Sequence, residues 1–232
     1  MEKNIKLEGM RCSAFYRPIN LSIELLSSFI DGKEKGYSLH VENMVIDSAR
    51  SQCSLISTDK KLRIGVTNDR IDSVVMLGDE EKSLEETNHD CSKYVMDMLK
   101  LMGVNATRLA FVPTYSYMGD KSSYACFFKQ IFNEKYTSFK DTVLLPSETS
   151  QLFRVEENIN EKLTKINYLM KLFTMKKVDG GKKDSIEMIE FDINTAVDQK
   201  YSFDESDVAA FFKAGPKFCE DYIKHFFKND DE

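Results

Sequence analysis

This chain of 232 residues has no tryptophan and only four prolines. It also has no apolar run of the roughly 20 residues that are needed to span a bilayer. The N-terminal stretch MEKNIKLEGMRC is charged and lacks the apolar core of a secretory signal. These absences predict a protein that neither spans a membrane nor is exported.

The five cysteines are odd in number, widely spaced and without a CxxC pair, so the sequence indicates neither a disulfide framework nor a zinc knuckle. Isolated cysteines of this kind usually serve as small buried apolar residues. We therefore expect reduced, buried thiols and a cytoplasmic protein. The residues are Cys12, Cys53, Cys91, Cys126 and Cys219.

Motifs of catalysis are also missing. The three histidines, His40, His89 and His225, form neither H-x-x-x-H nor H-E-x-x-H, so a zinc hydrolase would lack its ligand pair. No G-x-S-x-G nucleophile elbow is present. The sequence indicates no catalytic residue and no cofactor, and the balance of the motifs is against an enzyme.

The charge balance is acidic, with 32 basic against 38 acidic residues and a net charge of −6. General nucleic-acid binders obtain their affinity from a basic surface that meets phosphates. The balance therefore argues against such a binder, although it leaves room for a local basic patch.

The hydrophobic pattern of the first half predicts a strand, a short helix, four hairpin-linked strands and a long amphipathic helix that ends at Gly103. Leu21, Ile23 and Leu25 also alternate, so a strand stays an alternative to the short helix, whose N-cap would be Asn20. The ranges are 10–18, 20–32, 37–46, 53–58, 61–67, 70–77 and 89–103.

The second half restarts with a strand and a short helix, continues with long extended runs and ends in a long helix that Gly215-Pro216 should kink. The order predicts an α+β fold of duplicated β-α-β(3-4)-α units, 1–103 and 104–232, or one continuous domain. Each unit would be an antiparallel curved sheet covered by its long helix. The ranges are 106–117, 122–132, 150–159, 162–177, 185–194 and 202–227.

This order of elements, given twice, resembles the TATA-binding-protein-like architecture. The resemblance concerns the order of elements and carries over no DNA-binding residue. The concave sheet of that architecture grips DNA with basic side chains and apolar wedges, whereas this chain is acidic overall.

A second resemblance is carried by the stretches TRLAFVPTYSY and IEFDINTAVDQKYSFDESDVAAFFKAGPKFCEDYIKHFF. In them the chain is similar to an uncharacterised, sporadically distributed prokaryotic family of conserved hypothetical proteins. Where that family has a D-x-D-like pattern, this chain has Asp192-Ile193-Asn194. The patchy distribution of the family implies an antiviral defence or mobile-element setting, and it implies no activity.

A row of side-chain oxygens on the strand 185–194 is the candidate metal site. Glu190, Asp192 and Asn194 share one face of this strand. Alternate residues lie about 7 Å apart, so two carboxylates share a divalent ion only with ligands from elsewhere. We favour the solvated face of a half-buried strand, with a metal-dependent enzyme as the alternative.

The densest basic cluster consists of Lys176, Lys177, Lys182 and Lys183, and it flanks the turn Asp179-Gly180-Gly181. The stretch DGGKKDS lacks the leading glycine and the Ser or Thr of a phosphate loop, so a hairpin tip fits it better. This tip is the candidate contact for a phosphate or an acidic partner.

Aromatic residues on the last helix exceed what one buried stripe requires. Phe212, Phe226 and Phe227 are the candidates for a partner or dimer interface, with core packing as the first interpretation.

These observations together predict a non-enzymatic cytosolic protein that binds a protein partner or itself as a homodimer. The resemblance alone adds the defence or mobile-element setting. The alternatives are a metal-dependent enzyme that uses Glu190 and Asp192, and a nucleic-acid or nucleotide sensor that uses the lysine tip. The acidic charge argues against nucleic acid, and we expect no membrane contact.

Overall fold

The computed structural model describes residues 5–31, 39–46, 51–117, 138–139, 142–143, 148–179 and 182–227. Only the backbone is described for residues 31, 138–139, 142–143, 148–153, 176–179, 182–184, 222 and 225–227. The helix predicted over 122–132 and the turn at Gly180-Gly181 lie outside the described residues.

Three helices and eleven strands make up the described part of the chain. The helices are α1 (Ile23–Asp31), α2 (Leu84–Met102) and α3 (Glu205–Phe227). The strands are β1 (Ile5–Tyr16), β2 (Leu39–Ile46), β3 (Ser51–Ser57), β4 (Leu62–Thr67), β5 (Arg70–Met76), β6 (Ala106–Tyr117), β7 (Ser138–Phe139), β8 (Thr142–Val143), β9 (Glu148–Ile159), β10 (Lys162–Asp179) and β11 (Lys182–Thr195).

Nine of these strands form one sheet in the order β2-β3-β4-β5-β1-β6-β11-β10-β9, while β7 and β8 form a separate pair. Every pairing in the large sheet is antiparallel. The predicted α+β class is thereby confirmed. Because β1 pairs with β6, strands from both predicted halves share this sheet. The division into domains stays a prediction.

The two faces of the sheet can be told apart on β1. Met10, Cys12 and Ala14 are at most 2% exposed, and Cys12 Sγ donates to Asn88 Oδ1 of α2 at 3.8 Å. Because successive strand side chains alternate, the residues between them point away from α2. We call that side the distal face. On β1 and β6 it carries Arg11, Ser13, Phe15, Arg108, Ala110 and Val112.

The long helices α2 and α3 pack on the other face. α2 contacts β1 and β5, α3 contacts β6 and β11, and the two helices contact each other. The amphipathic character predicted for α2 is confirmed, with Cys91, Tyr94, Val95 and Met98 all buried. None of the described helices combines the length and the apolarity that a bilayer crossing requires.

Two caps fix the ends of α2. Ser83 and Glu86 form a reciprocal capping box, in which each side chain accepts a hydrogen bond from the other residue's backbone N–H. Gly103 ends the helix with a φ of 62°, a backbone angle that residues with a Cβ rarely adopt. The helix therefore starts one turn before the range 89–103 and ends where the sequence predicted.

The short helix α1 forms where the sequence left two alternatives. Ser22 Oγ accepts a hydrogen bond from the backbone N–H of Leu25 at 3.2 Å, so Ser22 and not Asn20 satisfies the first turn. Leu26 and Phe29 are buried in the core, at helical spacing. Ile23, which both the helical and the strand pattern would have placed among the buried residues, is 57% exposed. The strand alternative was wrong.

Pro216 lies inside α3, and the helix continues across it. Proline has no N–H to donate to the carbonyl of Phe212, four residues earlier. Instead, Asn88 Nδ2 of α2 donates to Phe212 O at 2.7 Å. The carbonyl that the proline leaves free thus becomes the acceptor that ties α3 to α2.

Gly215 sets how closely α3 approaches the sheet. A Cβ at this position would come within 2.7 Å of the Phe111 ring on β6. Only glycine permits this contact, because the Phe111 side chain is fully buried and has no room to move. Gly215 thus allows α3 to pack closely on the sheet, and Pro216 leaves free the carbonyl that bonds to α2.

Candidate functional site

A row of arginine and aromatic side chains crosses the distal face at Phe15. Arg70 of β5 and Arg108 of β6 are its direct cross-strand neighbours. Their guanidinium carbons lie 4.8 and 5.1 Å from the centre of the Phe15 ring. Both distances are within the range of cation–π attraction. The ring therefore receives one guanidinium from each neighbouring strand.

Buried amides continue the row from Arg108 towards β9. Arg108 Nη2 and Asn167 Nδ2 each donate to Asn194 Oδ1 at 3.1 Å. Arg154 Nε donates to Asn167 Oδ1 at 2.8 Å. Asn194 is 4% exposed and Asn167 is 8% exposed. Hydrogen bonds shielded from water hold their geometry, so this network fixes the orientation of the Arg108 side chain.

The candidate metal ligands Glu190 and Asp192 lie on the distal face of β11. Lys171 Nζ is 2.7 Å from Glu190 Oε1 and 3.9 Å from Asp192 Oδ2. Asp192 Oδ1 also accepts from Asn194 Nδ2 at 2.8 Å. Within the described ranges, no group of three or more His, Cys, Asp or Glu side chains is placed to hold a metal ion. Here the two carboxylates have an ammonium and an amide as partners.

Other cations of the distal face are paired with carboxylates. Arg70 donates to Asp72 Oδ1 from Nε at 2.9 Å and approaches it with Nη2 at 2.7 Å. Arg63 Nη2 lies 2.8 Å from Glu42 Oε1. These pairs neutralise their own charge and leave little of it for a ligand.

Arg11 and Arg108 differ from these paired cations. Neither forms an ion pair within 4.0 Å with a carboxylate of the described residues. The Nε of each is buried and has no hydrogen-bond partner, a condition that only Ser73 Oγ shares in the part of the chain described. An unpaired buried donor costs about 1–3 kcal/mol, and more when it is charged. Both arginines thus present a positive charge and a donor that the fold does not satisfy.

Two small, buried side chains lie between the two arginines. Ser13 and Ala110 are direct partners across β1 and β6 and are 1% and 6% exposed. On one side of this pair Arg11 opposes Val112, and on the other Arg108 opposes Phe15. We call this set the arginine cradle. It consists of Arg11, Ser13, Phe15, Arg108, Ala110 and Val112.

The arginine cradle is suited to binding anions. A guanidinium is planar, permanently charged and matched to two oxygens of a carboxylate or phosphate. The hydroxyl of Ser13 donates to Asp72 Oδ1 at 2.5 Å and is almost fully buried, so it is not available to a substrate. The chemistry of the cradle is therefore recognition of charge.

The buried thiols do not supply a nucleophile either. Cys12, Cys53, Cys91 and Cys219 are buried, as predicted, and Cys126 lies outside the described residues. Burial raises the pKa of Cys219 to about 12 and the pKa of Cys12 well above its usual range. Nucleophilic attack requires the thiolate, which neither residue forms at neutral pH.

The lysine tip is described only through its backbone. Lys176 and Lys177 belong to β10, Lys182 and Lys183 belong to β11, and the two strands pair in register up to Asp179. The four lysine side chains lie outside the described residues. Their contact with a phosphate or an acidic partner stays a prediction.

Phe212 lies in the core and not on the surface. It is 1% exposed, and its ring packs edge-on against Phe211 with 5.5 Å between ring centres. Core packing, and not the interface interpretation, therefore describes this side chain. The side chains of Phe226 and Phe227 lie outside the described residues, and their interface role stays a prediction.

A pocket of about 420 Å³ lies beside the turn from α2 to β6. Three of its polar lining groups have partners, since Asn105 Nδ2 donates to Ser202 Oγ at 3.1 Å and Tyr201 Oη accepts from Lys165 N at 2.7 Å. The arginine cradle, with its unpaired donors, is the stronger candidate.

Arg11 and Arg108 escaped the sequence analysis, although both lie in strands that it predicted. The available signal was an arginine between buried neighbours, as Arg11 stands between Met10 and Cys12. Whether such an arginine has a carboxylate partner depends on the strands beside it. That information is in the register of the sheet and not in the local pattern.

No protein-family model matches the chain, and a comparison with curated proteins finds no match either. The fold is that of an α+β protein whose sheet carries two arginines without a carboxylate partner on adjacent strands, and its function has to be argued from that geometry.

Proposed function

We propose that the chain is a non-enzymatic binding protein of the cytoplasm whose partner docks on the distal face at the arginine cradle. The observation that carries the proposal is the pair of buried, unpartnered Nε groups of Arg11 and Arg108. An anionic group of the partner would supply the missing acceptor and the missing countercharge.

The energetic cost of the two arginines supports a role in binding. A buried donor without an acceptor destabilises the isolated fold, and an apolar side chain of similar length would fill the same space without that cost. Folded proteins keep such locally unfavourable groups mainly at functional sites. Arg11 and Arg108 carry two such groups on the adjacent strands β1 and β6.

The order of the strands supports the predicted duplication, which we include in the proposal. The pair β1 and β6 is flanked by β5 and β11 and then by β4 and β10. The second half thus follows the first in mirrored order, as two units joined at β1 and β6 would. Each unit would carry its own long helix on the face opposite the cradle. A partner lying across Arg11 and Arg108 would bridge both units.

A protein partner is the class we favour, with a second copy of this chain as the alternative. The predicted defence or mobile-element setting is compatible with either and rests on the resemblance alone. A metal-dependent activity at Glu190 and Asp192 has less support, because Lys171 already approaches both carboxylates.

The substitution Arg11→Met tests whether this arginine serves binding or the fold. Removing the buried, unpaired Nε–H of Arg11 should raise the free energy of unfolding by about 1 kcal/mol, because the methionine side chain needs no hydrogen bond. Urea denaturation of the purified protein measures this change.

Arg63→Met is the matched control, since it removes a cation of the same face that is paired and 56% exposed. We expect it to change the free energy of unfolding by less than about 0.5 kcal/mol. A loss of about 1 kcal/mol or more in Arg11→Met would mean that Arg11 stabilises the fold, and the proposal would lose its basis.

A further inference from the structure

The arginine cradle discriminates between kinds of anionic partner. We infer that its ligand is an acidic polypeptide segment that also carries apolar side chains, and not a nucleic acid. This inference rests on the proposed function and specifies the partner of the same site.

The surroundings of Arg11 favour a partner that is partly apolar. Val74 of β5 and Val112 of β6 lie directly opposite Arg11 on the two strands beside β1. Met76, the next residue of β5 on the distal face, is 53% exposed. Val112 is 1% exposed and is not available to a partner. An acidic polypeptide can place a carboxylate on the guanidinium and a hydrocarbon side chain on Met76 at the same time.

The aromatic residue of the cradle is poorly placed for nucleic acid. Proteins that bind single strands stack bases on exposed aromatic rings. The ring of Phe15 already has the guanidinium groups of Arg70 and Arg108 within about 5 Å, as measured from the ring centre. A base would have to displace a cation from this ring before it could stack.

Carboxylates on the same face also disfavour a phosphate polymer. Asp72, Glu190 and Asp192 lie on the strands that flank β1 and β6. An extended polypeptide turns every second side chain away from the sheet, whereas a nucleic acid carries a backbone charge on every nucleotide. The net charge of −6 opposes both kinds of anionic ligand and does not separate them.

The register of β1 and β6 sets the spacing of the acidic groups in the partner. Arg108 opposes Phe15, four residues along β1 from Arg11, so the two guanidinium groups are attached about 13 Å apart along the strand direction. Acidic residues four positions apart on an extended segment have this separation and share one face. One carboxylate would then reach each arginine.

Three labelled probes test the inference at low ionic strength: poly-L-glutamate, an oligothymidylate and inorganic polyphosphate. Fluorescence anisotropy of each probe is measured with the wild-type chain, with the double variant Arg11→Met/Arg108→Met and with the control Arg63→Met. We expect poly-L-glutamate to bind the wild-type chain and the control alike. The double variant should bind it at least about tenfold more weakly, because each lost guanidinium leaves a carboxylate unpaired.

The outcomes separate the inference from the proposed function. If an oligothymidylate or polyphosphate binds through the two arginines and poly-L-glutamate does not, the inference is wrong and the proposed function stands. If poly-L-glutamate binds the double variant as tightly as the wild type, the inference is also wrong. If no probe shows binding that depends on the arginines, the proposed function fails as well. Should the double variant not melt cooperatively, the single variants Arg11→Gln and Arg108→Gln replace it.

Discussion

Asn88 and Pro216 show how two single residues can be coupled across two helices. The proline removes the N–H that would bond to Phe212 O, and the Asn88 amide donates to that carbonyl at 2.7 Å. Asn88 also accepts a hydrogen bond from Cys12 on β1. The buried amide therefore joins α2, α3 and the sheet at one point.

We expect Asn88→Ala to lower the free energy of unfolding by about 1–3 kcal/mol, because it leaves the Phe212 carbonyl buried and unpaired. In a Pro216→Ala background the cost should be smaller by about 1 kcal/mol, since residue 216 then donates its own N–H to that carbonyl. Urea denaturation of the four proteins of this double-mutant cycle measures the coupling. Equal costs in both backgrounds would show that the proline and the amide act independently.

Single residues were also where sequence reasoning was least complete. The strand carrying Asp192 and Asn194 was predicted, and so was the shared face of Glu190, Asp192 and Asn194. The partners of these side chains were not predicted. Arg108 comes from β6, which is distant in sequence, and Lys171 lies across the β10–β11 hairpin, whose register the sequence analysis did not work out. A pattern of alternation predicts the face of a residue and does not predict the charge opposite it.

Two aspartate carboxylates cap the N-terminus of α3. Asp204 Oδ1 accepts hydrogen bonds from the backbone N–H groups of Ser206 and Asp207, at 2.9 and 3.0 Å. In return, Asp207 Oδ2 accepts from the backbone N–H of Asp204 at 3.0 Å and also contacts Lys162 Nζ. This reciprocal arrangement is a capping box made of two aspartates.

The Asp204 cap should make α3 sensitive to acid. Hydrogen bonds from the Ser206 hydroxyl and from the backbone of Asp207 lower the pKa of Asp204 below its usual 3.8. A lowered pKa in the folded state means that this contribution to stability is complete above pH 3.8 and is lost as the pH falls through the folded pKa. The variant Asp204→Asn keeps a capping side chain that does not titrate.

We therefore expect the wild-type chain to be destabilised by acid more steeply than Asp204→Asn. Urea denaturation at neutral pH and near pH 3 gives the difference between the two proteins at each pH, and other titrating groups cancel in that comparison. A difference that is the same at both values would show that the Asp204 carboxylate has no special stabilisation in the folded state.

Most elements could be predicted from hydrophobic periodicity, and their ends depended on local chemistry. The range 162–177 was found as Lys162–Asp179, and 106–117 was found unchanged as Ala106–Tyr117. α2 begins at Leu84, earlier than predicted, because the capping box of Ser83 and Glu86 extends the helix through a polar turn that periodicity does not mark. The hydrophobic pattern therefore marks the apolar face of α2 and does not mark its N-terminal cap.

For the whole molecule, the α+β class and the antiparallel hairpins followed from the sequence, but the site did not. The arginine cradle exists because β1 and β6 pair, and Arg11 and Arg108 are far apart in the chain. Long-range pairing decides both which arginines are neighbours and which of them lack an acid. The predicted site residues all lay within single local motifs, where this information is absent.

Arg11 and Arg108 each keep an Nε–H without a hydrogen-bond partner in the free chain, and we propose that both guanidinium groups receive an anion in the complex. The most direct measurement is the NMR correlation of the arginine Nε–H groups, assigned with Arg11→Met and Arg108→Met and followed during titration with poly-L-glutamate and, in parallel, polyphosphate. The account predicts that the Nε–H signals of Arg11 and Arg108 shift as one of these polyanions binds, while the signal of Arg63 stays in place. Binding of a polyanion that leaves both cradle signals unchanged would contradict it.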